Sequence, residues 1–135
     1  MSHINSNFQK TRSDHQSEKA EDYVEAIHEI TGKKGFCRIT DLAKHMGVSH
    51  VTVTKIIKRL SQDNLIHKKP YRPIFLTKSG LSLAKSSKKR HELIYKFLKL
   101  IGVSEKIAQE DSEGIEHHCS KHTLDKIQKL VNKIN

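Results

Sequence analysis

At 135 residues with 35% apolar content, below the roughly 45–50% of a typical globular chain, the sequence supports one compact unit or two small subdomains, and a dimer interface would help it bury more. Two cysteines, Cys37 and Cys119, stand far apart in no paired motif, which argues against a disulfide scaffold and for a reducing compartment. No apolar run approaches the ~20 residues that span a bilayer, and the N-terminus lacks an apolar signal core, so a cytoplasmic protein is expected. The net charge of +10 is unevenly spread: Lys+Arg against Asp+Glu is three to six over residues 1–32, fifteen to two over 33–90, and seven to seven over 91–135. An excess confined to the middle of the chain is what a segment facing a polyanion would carry.

Residues 1–17 are polar and aperiodic and read as a disordered arm. A helix is expected from Ser17 or Glu18, striped by Tyr23, Val24, Ile27 and Ile30, with Asp22 and Glu25 on another face. Thr31-Gly32-Lys33-Lys34-Gly35 should end it. After a short extended link, Thr40 is the expected cap of a helix from Asp41 to Met46. Gly47-Val48 turns the chain, and Ser49 caps a helix from His50 to about Gln62. Val53, Ile56, Ile57 and Leu60 face inward, leaving His50, Thr52, Lys55, Lys58 and Arg59 outward. Helix, glycine turn and capped helix with a basic outer face form a helix-turn-helix.

Two short strands, Leu65–Lys68 and Ile74–Leu76, flank the basic tip Lys69-Pro70-Tyr71-Arg72-Pro73 and read as a hairpin wing. Thr77 caps a long helix to about Ile101, which Gly102 closes. Ser104 caps the next, expected to run to about Cys119, and a last helix starts at Ser120 or Thr123. The expected fold is mainly α: a winged helix-turn-helix domain over 18–80 and a helical domain over 81–135.

A recognition helix sets its N-terminal residues against base edges. Here His50, Thr52 and Lys55 take that place, with Val51 able to touch a thymine methyl. Lys58, Arg59, Lys68, Lys69 and Arg72 would meet phosphates, although any single lysine is equally well explained as a solvated side chain.

The second constellation is Glu113-Gly114-Ile115-Glu116-His117-His118. Written on a helix, Glu113, Glu116 and His117 share one stripe, a hard-oxygen and imidazole donor set for a divalent metal. By itself the stretch reads better as a solvated polar face. Gly114 and Ile115 would be its packing side, and His118 lies round the helix from His117. Asp22 and Glu25 could be dipole-stabilised surface charges, and His91 a boundary histidine.

These segments resemble the manganese-responsive branch of the diphtheria-toxin-repressor family of metal-dependent regulators. The resemblance lies in Glu21-Asp22-Tyr23-Val24-Glu25, Val53-Thr54-Lys55, Phe75-Leu76-Thr77-Lys78-Ser79-Gly80, Arg90-His91-Glu92-Leu93, Phe97-Leu98, Ile101-Gly102-Val103 and residues 113–118, in family order over roughly 18–131. It implies that Asp22, Glu25, His91, Glu113, Glu116 and His117 hold two Mn²⁺ ions per subunit, with Glu25 and Glu113 as candidate bridges. It further implies a homodimer, operator DNA as partner and repression of metal-uptake genes. The iron-responsive branch has Met and Cys where this chain has Asp22 and Glu113, and oxygen donors there suit a harder ion. The polar N-terminal arm is longer than the family's, and the family's additional C-terminal SH3-like domain is not expected, as is usual in the manganese branch.

The implied mechanism is a metal clamp between DNA-binding and dimerisation halves. It favours the pose in which two recognition helices match half-sites about 34–36 Å apart. Two alternatives stay open: a regulator responding to iron or another signal, and a carboxylate–histidine metalloenzyme. Against the enzyme, a paired Glu-x-x-His pattern is missing.

Overall fold

The computed structural model describes the backbone of residues 2–134 and the side chains of residues 18–134. The first helix starts at Ser2 and not at the expected Ser17 or Glu18, so the stretch expected as a disordered arm over residues 1–17 is helical from Ser2 on. The described elements are α1 (Ser2–Lys34), α2 (Ile39–Met46), α3 (His50–Gln62), β1 (Ile66–His67), β2 (Phe75–Leu76), α4 (Lys78–Leu100), α5 (Glu105–Ile115), a 3₁₀ turn (Glu116–His118) and α6 (Lys121–Ile134). Two compact units divide the chain: Ser17–Lys85, and one that includes Ser86–Asn135.

In the first unit, α1 contributes Tyr23, Ala26 and Ile27 to a core completed by Cys37, Leu42, Ala43, Val53, Ile57, Leu60, Ile66 and Ile74. The spacing of those α1 residues is the helical stripe the sequence predicts. The helix persists through Gly32 and stops at Gly35, whose φ of 92° places it in the left-handed region. The Gly35 N–H donates to the Thr31 carbonyl at 2.8 Å.

Helix α2 starts at Ile39, two residues before the expected Asp41, and its cap is Arg38 instead of Thr40. The cause is the Asp41 carboxylate, which accepts from the Arg38 backbone N–H at 2.9 Å and from Lys34 Nζ at 2.6 Å. The Lys34 hydrogen bond and then the Arg38 backbone donor hold Asp41 below its ordinary pKa. Gly47 closes α2 at φ 68°. Ser49 caps α3 as expected, its Oγ accepting from the Thr52 N–H at 3.2 Å.

The hairpin is shorter than expected, with only Ile66 opposite Leu76 and His67 opposite Phe75. A third segment supports it: the Ile74 N–H donates to the Cys37 carbonyl at 2.7 Å. Cys37 is fully buried. Burial first, and Asp41 second, push its thiol up to about 11 against an opposing effect of Lys34. Thr77 then ties the wing to the start of α4. Its N–H donates to the Leu65 carbonyl at 3.0 Å and its hydroxyl to the Asn64 carbonyl at 2.8 Å. The same hydroxyl oxygen accepts from the Gly80 N–H at 3.0 Å.

In the second unit, Ile94 and Leu98 of α4 bury against Ala108 of α5, with Tyr95, Phe97, Val103, Leu124 and Ile127 around them. Helix α5 ends at Ile115, four residues short of expectation, and the chain tightens into the 3₁₀ turn. Gly114 and Ile115, expected to pack, are exposed. Leu100, Ile101, Ile107, Leu130 and Ile134 are also exposed. So much uncovered apolar surface on a small helical unit is what a partner subunit would remove from water. Among the described residues, no helix is long and apolar enough to cross a membrane.

Candidate DNA-binding surface and metal centre

The first unit presents α3 with its basic face outward. His50, Thr52, Lys55, Lys58 and Arg59 are all exposed, and Val51 is 65% exposed beside them. The Ser49 cap fixes where this face begins, and the Ser49 and Thr52 hydroxyls lie 3.0 Å apart. Thr54 turns back, donating to the His50 carbonyl at 2.8 Å. In the wing, Lys69 and Arg72 are exposed. Lys68 is half-buried and donates to the Lys69 carbonyl at 2.8 Å, so its ammonium also braces the turn. Every residue read as DNA-facing is therefore on the surface, and the inward stripe is in the core. Asp22 and Glu25 lie less than one turn apart on α1, both half-buried.

The second unit carries the other four expected ligands. Glu116 is only 2% exposed. Its Oε1 accepts from the Ser87 hydroxyl at 3.1 Å and its Oε2 from Arg90 Nε at 3.2 Å. His117 Nε2 sits 3.3 Å from Glu116 Oε1, with the His117 side chain 2% exposed. Arg90 is itself steadied by Nη1 donating to Ser86 Oγ at 2.8 Å. A buried carboxylate is costly without a compensating cation and donors, and here Arg90 and Ser87 supply both.

The remaining two ligands behave differently. His91 Nε2 lies 3.2 Å from Gln109 Nε2. Glu113 is exposed on the last turn of α5. Glu113, Glu116 and His117, expected on one stripe, differ in exposure. Glu116 and His117 are brought together and buried, while Glu113 stays outside. His118 is exposed.

Sequence reasoning missed Ser87, Arg90 and Gln109. Ser87 and Arg90 are three apart on α4, so their common face was readable. Their partner is 29 and 26 residues away, which no local pattern reveals. The donor set itself suits a hard divalent cation: carboxylate oxygens and imidazole nitrogens, with a buried pair within 3.3 Å.

A basic helix-turn-helix with a hairpin wing, followed by a helical unit with a buried carboxylate–imidazole pair, defines a DNA-binding regulator of the metal-dependent class. Comparison with known proteins agrees. Residues 15–74 match the family model described as "Iron dependent repressor, N-terminal DNA binding domain". Residues 77–135 match "Iron dependent repressor, metal binding and dimerisation domain".

Similar proteins include the transcriptional regulator MntR of Escherichia coli O6:H1, 42% identical over 93% of this chain and 81% of that protein. The HTH-type transcriptional regulator MntR of Bacillus subtilis (strain 168) is 40% identical over 82% of this chain and 78% of its own. Among solved structures, the manganese regulator SloR superposes with a TM-score of 0.74 at 29% identity, covering 84% of this chain and 53% of that one. The metal-dependent transcriptional regulator MtsR gives 0.77 at 26% identity, over 84% and 53%. The chain thus spans about half the length of these solved regulators.

The chain belongs to the iron-dependent repressor family of metal-dependent transcriptional regulators. It is a regulator and not an enzyme, so the metalloenzyme alternative is set aside.

Proposed function

We propose that the chain is a manganese-responsive repressor, acting in the cytoplasm as a homodimer on the operators of metal-uptake genes. The observation that carries the reading is the buried Glu116–His117 pair on the same chain as an exposed basic α3. One element can take a cation and the other a DNA groove. The relatives support manganese over iron, since several are named MntR or manganese regulators. Oxygen donors at Asp22 and Glu113, where softer sulfur would suit other ions, point the same way.

The proposed ligands are Asp22, Glu25, His91, Glu113, Glu116 and His117, holding two Mn²⁺ per subunit. Bound metal would supply positive charge to a carboxylate-rich cluster. The chain's own residues set the rest. Ser87 and Arg90 orient the Glu116 carboxylate, in the way outer groups commonly fix ligand geometry. His50, Val51, Thr52 and Lys55 would read bases, and Lys58, Arg59, Lys68, Lys69 and Arg72 would hold phosphates. The DNA-binding domain is proposed over 18–80 and the metal-binding and dimerisation domain over 81–135. Metal and DNA then strengthen each other's binding by linkage.

The test is anisotropy titration of the full chain with a duplex operator obtained by in vitro selection, with Mn²⁺ and then with chelator. Wild type should gain at least ten-fold in affinity with Mn²⁺ and lose it on chelation, and Mn²⁺ titration should plateau at two ions per subunit. His91→Ala should remain a folded dimer by sedimentation and gain little from Mn²⁺. A full Mn²⁺ response in that variant would remove His91 from the ligand set. Equal or greater responses to Fe²⁺ would favour the iron-responsive alternative.

A further inference from the structure

Tyr71 is the feature that the DNA-facing set above does not use. It sits at the wing tip between Pro70 and Arg72 and is 97% exposed, so packing within the fold does not need it. Its φ is 61°, in the left-handed region that L side chains rarely adopt. The turn that holds it is closed by the Arg72 N–H donating to the Lys69 carbonyl at 3.1 Å. Lys68 Nζ donates to that same carbonyl at 2.8 Å. Pro70 and Pro73 stiffen both sides. A turn so built would be occupied without strain by glycine. Strain kept at an exposed tip is a mark of function more than of folding. The side chain held there is a flat aromatic with a polar end, among the cations of Lys68, Lys69 and Arg72.

We propose that Tyr71 is the wing's uncharged DNA contact, its ring packing into the minor groove against sugar and base edges while the neighbouring cations meet phosphates. The proposal rests on the DNA-binding reading above. A ring in that position responds to groove width, so it would contribute specificity at base pairs that α3 does not touch.

The experiment uses the full chain with Mn²⁺ and the selected duplex, with affinity measured over a range of salt. Tyr71→Phe should bind within two-fold of wild type. Tyr71→Gly keeps a residue at ease with positive φ, so the turn survives while the ring is lost. Tyr71→Gly and Tyr71→Ala should each bind about ten-fold more weakly, the scale of a base–aromatic contact. The slope of log affinity against log salt should not change in any of the three, because the ring displaces no counterion. Lys69→Ala should instead make the slope shallower by about 0.9, one phosphate contact. Wild-type affinity in Tyr71→Gly would overturn the proposal, as would a loss accompanied by a shallower slope. If wild type shows no salt-dependent binding and Lys69→Ala leaves the slope unchanged, the DNA-binding reading fails and this proposal falls with it.

Discussion

Gly80 is the position where the backbone leaves least room. A Cβ built there would lie 2.0 Å from the Leu65 carbonyl oxygen, which is backbone and cannot swing away. The close approach exists because Thr77 ties the start of α4 to the Asn64–Leu65 segment through two hydrogen bonds, while its hydroxyl also accepts from the Gly80 N–H. Gly80→Ala must push the two apart, so a loss of about 3 kcal/mol is expected, at the upper end of overpacking costs. Urea unfolding checks it, and an unchanged midpoint would show that the segment yields freely. Gly47 is a milder case. It needs its left-handed φ, yet a Cβ would meet nothing within 4 Å, so strain is the only cost there.

At the scale of elements, the α2 start makes a pH-dependent contribution. The Asp41 carboxylate joins Lys34 at the end of α1 to the first turn of α2, and its pKa is lowered in the fold. A carboxyl with a depressed native pKa stabilises at pH above its unfolded value and loses that contribution as pH falls through the native value. Asp41→Ala should therefore cost about 1 kcal/mol at neutral pH, typical of a lost helix cap. The gap to wild type should close as pH drops below the ordinary carboxylate range. Thermal melts of both proteins across pH would show it, and a gap constant to low pH would mean that packing, not charge, is responsible.

The elements also show what the sequence could disclose. The stripe of α3 and its Ser49 cap were legible because both are local: 3.6-residue periodicity and one side chain three positions from its donor. The order helix-turn-helix-wing was legible for the same reason. The switch at Glu116 was not. Its residues fit a continuing α-helix as well as a 3₁₀ turn, and the donors that meet Glu116 lie far back on α4. The candidate ligands could be named from residue type, spacing and family likeness. Which of them is buried, and what Ser87, Arg90 and Gln109 do beside them, depends on tertiary placement that local pattern does not encode. The start of α2 was missed through a competing rule. Thr40 is a good cap by type, but Asp41 with Lys34 and the Arg38 N–H forms the stronger arrangement.

For the molecule as a whole, the division of charge maps onto the division of labour. The segment with fifteen basic residues against two acidic ones, 33–90, holds α2, α3 and the wing, while 91–135 is balanced. Like charges on the DNA-binding side repel one another when no polyanion is present. The balanced unit leaves its apolar face free to associate without such opposition. Within the DNA-binding unit, the wing is held by little sheet, two facing residue pairs, and a hairpin of that size is marginal by itself. Ile66 and Ile74 enter the core, and the bond from the Ile74 amide to the Cys37 carbonyl fastens the wing there. That amide is thus a native reporter of wing docking. In deuterium exchange it should be among the protected amides, opening only with the unit's core, while amides at the tip exchange freely. Should Ile74 exchange as fast as the tip, the wing would be undocking from the core on its own, independently of global unfolding.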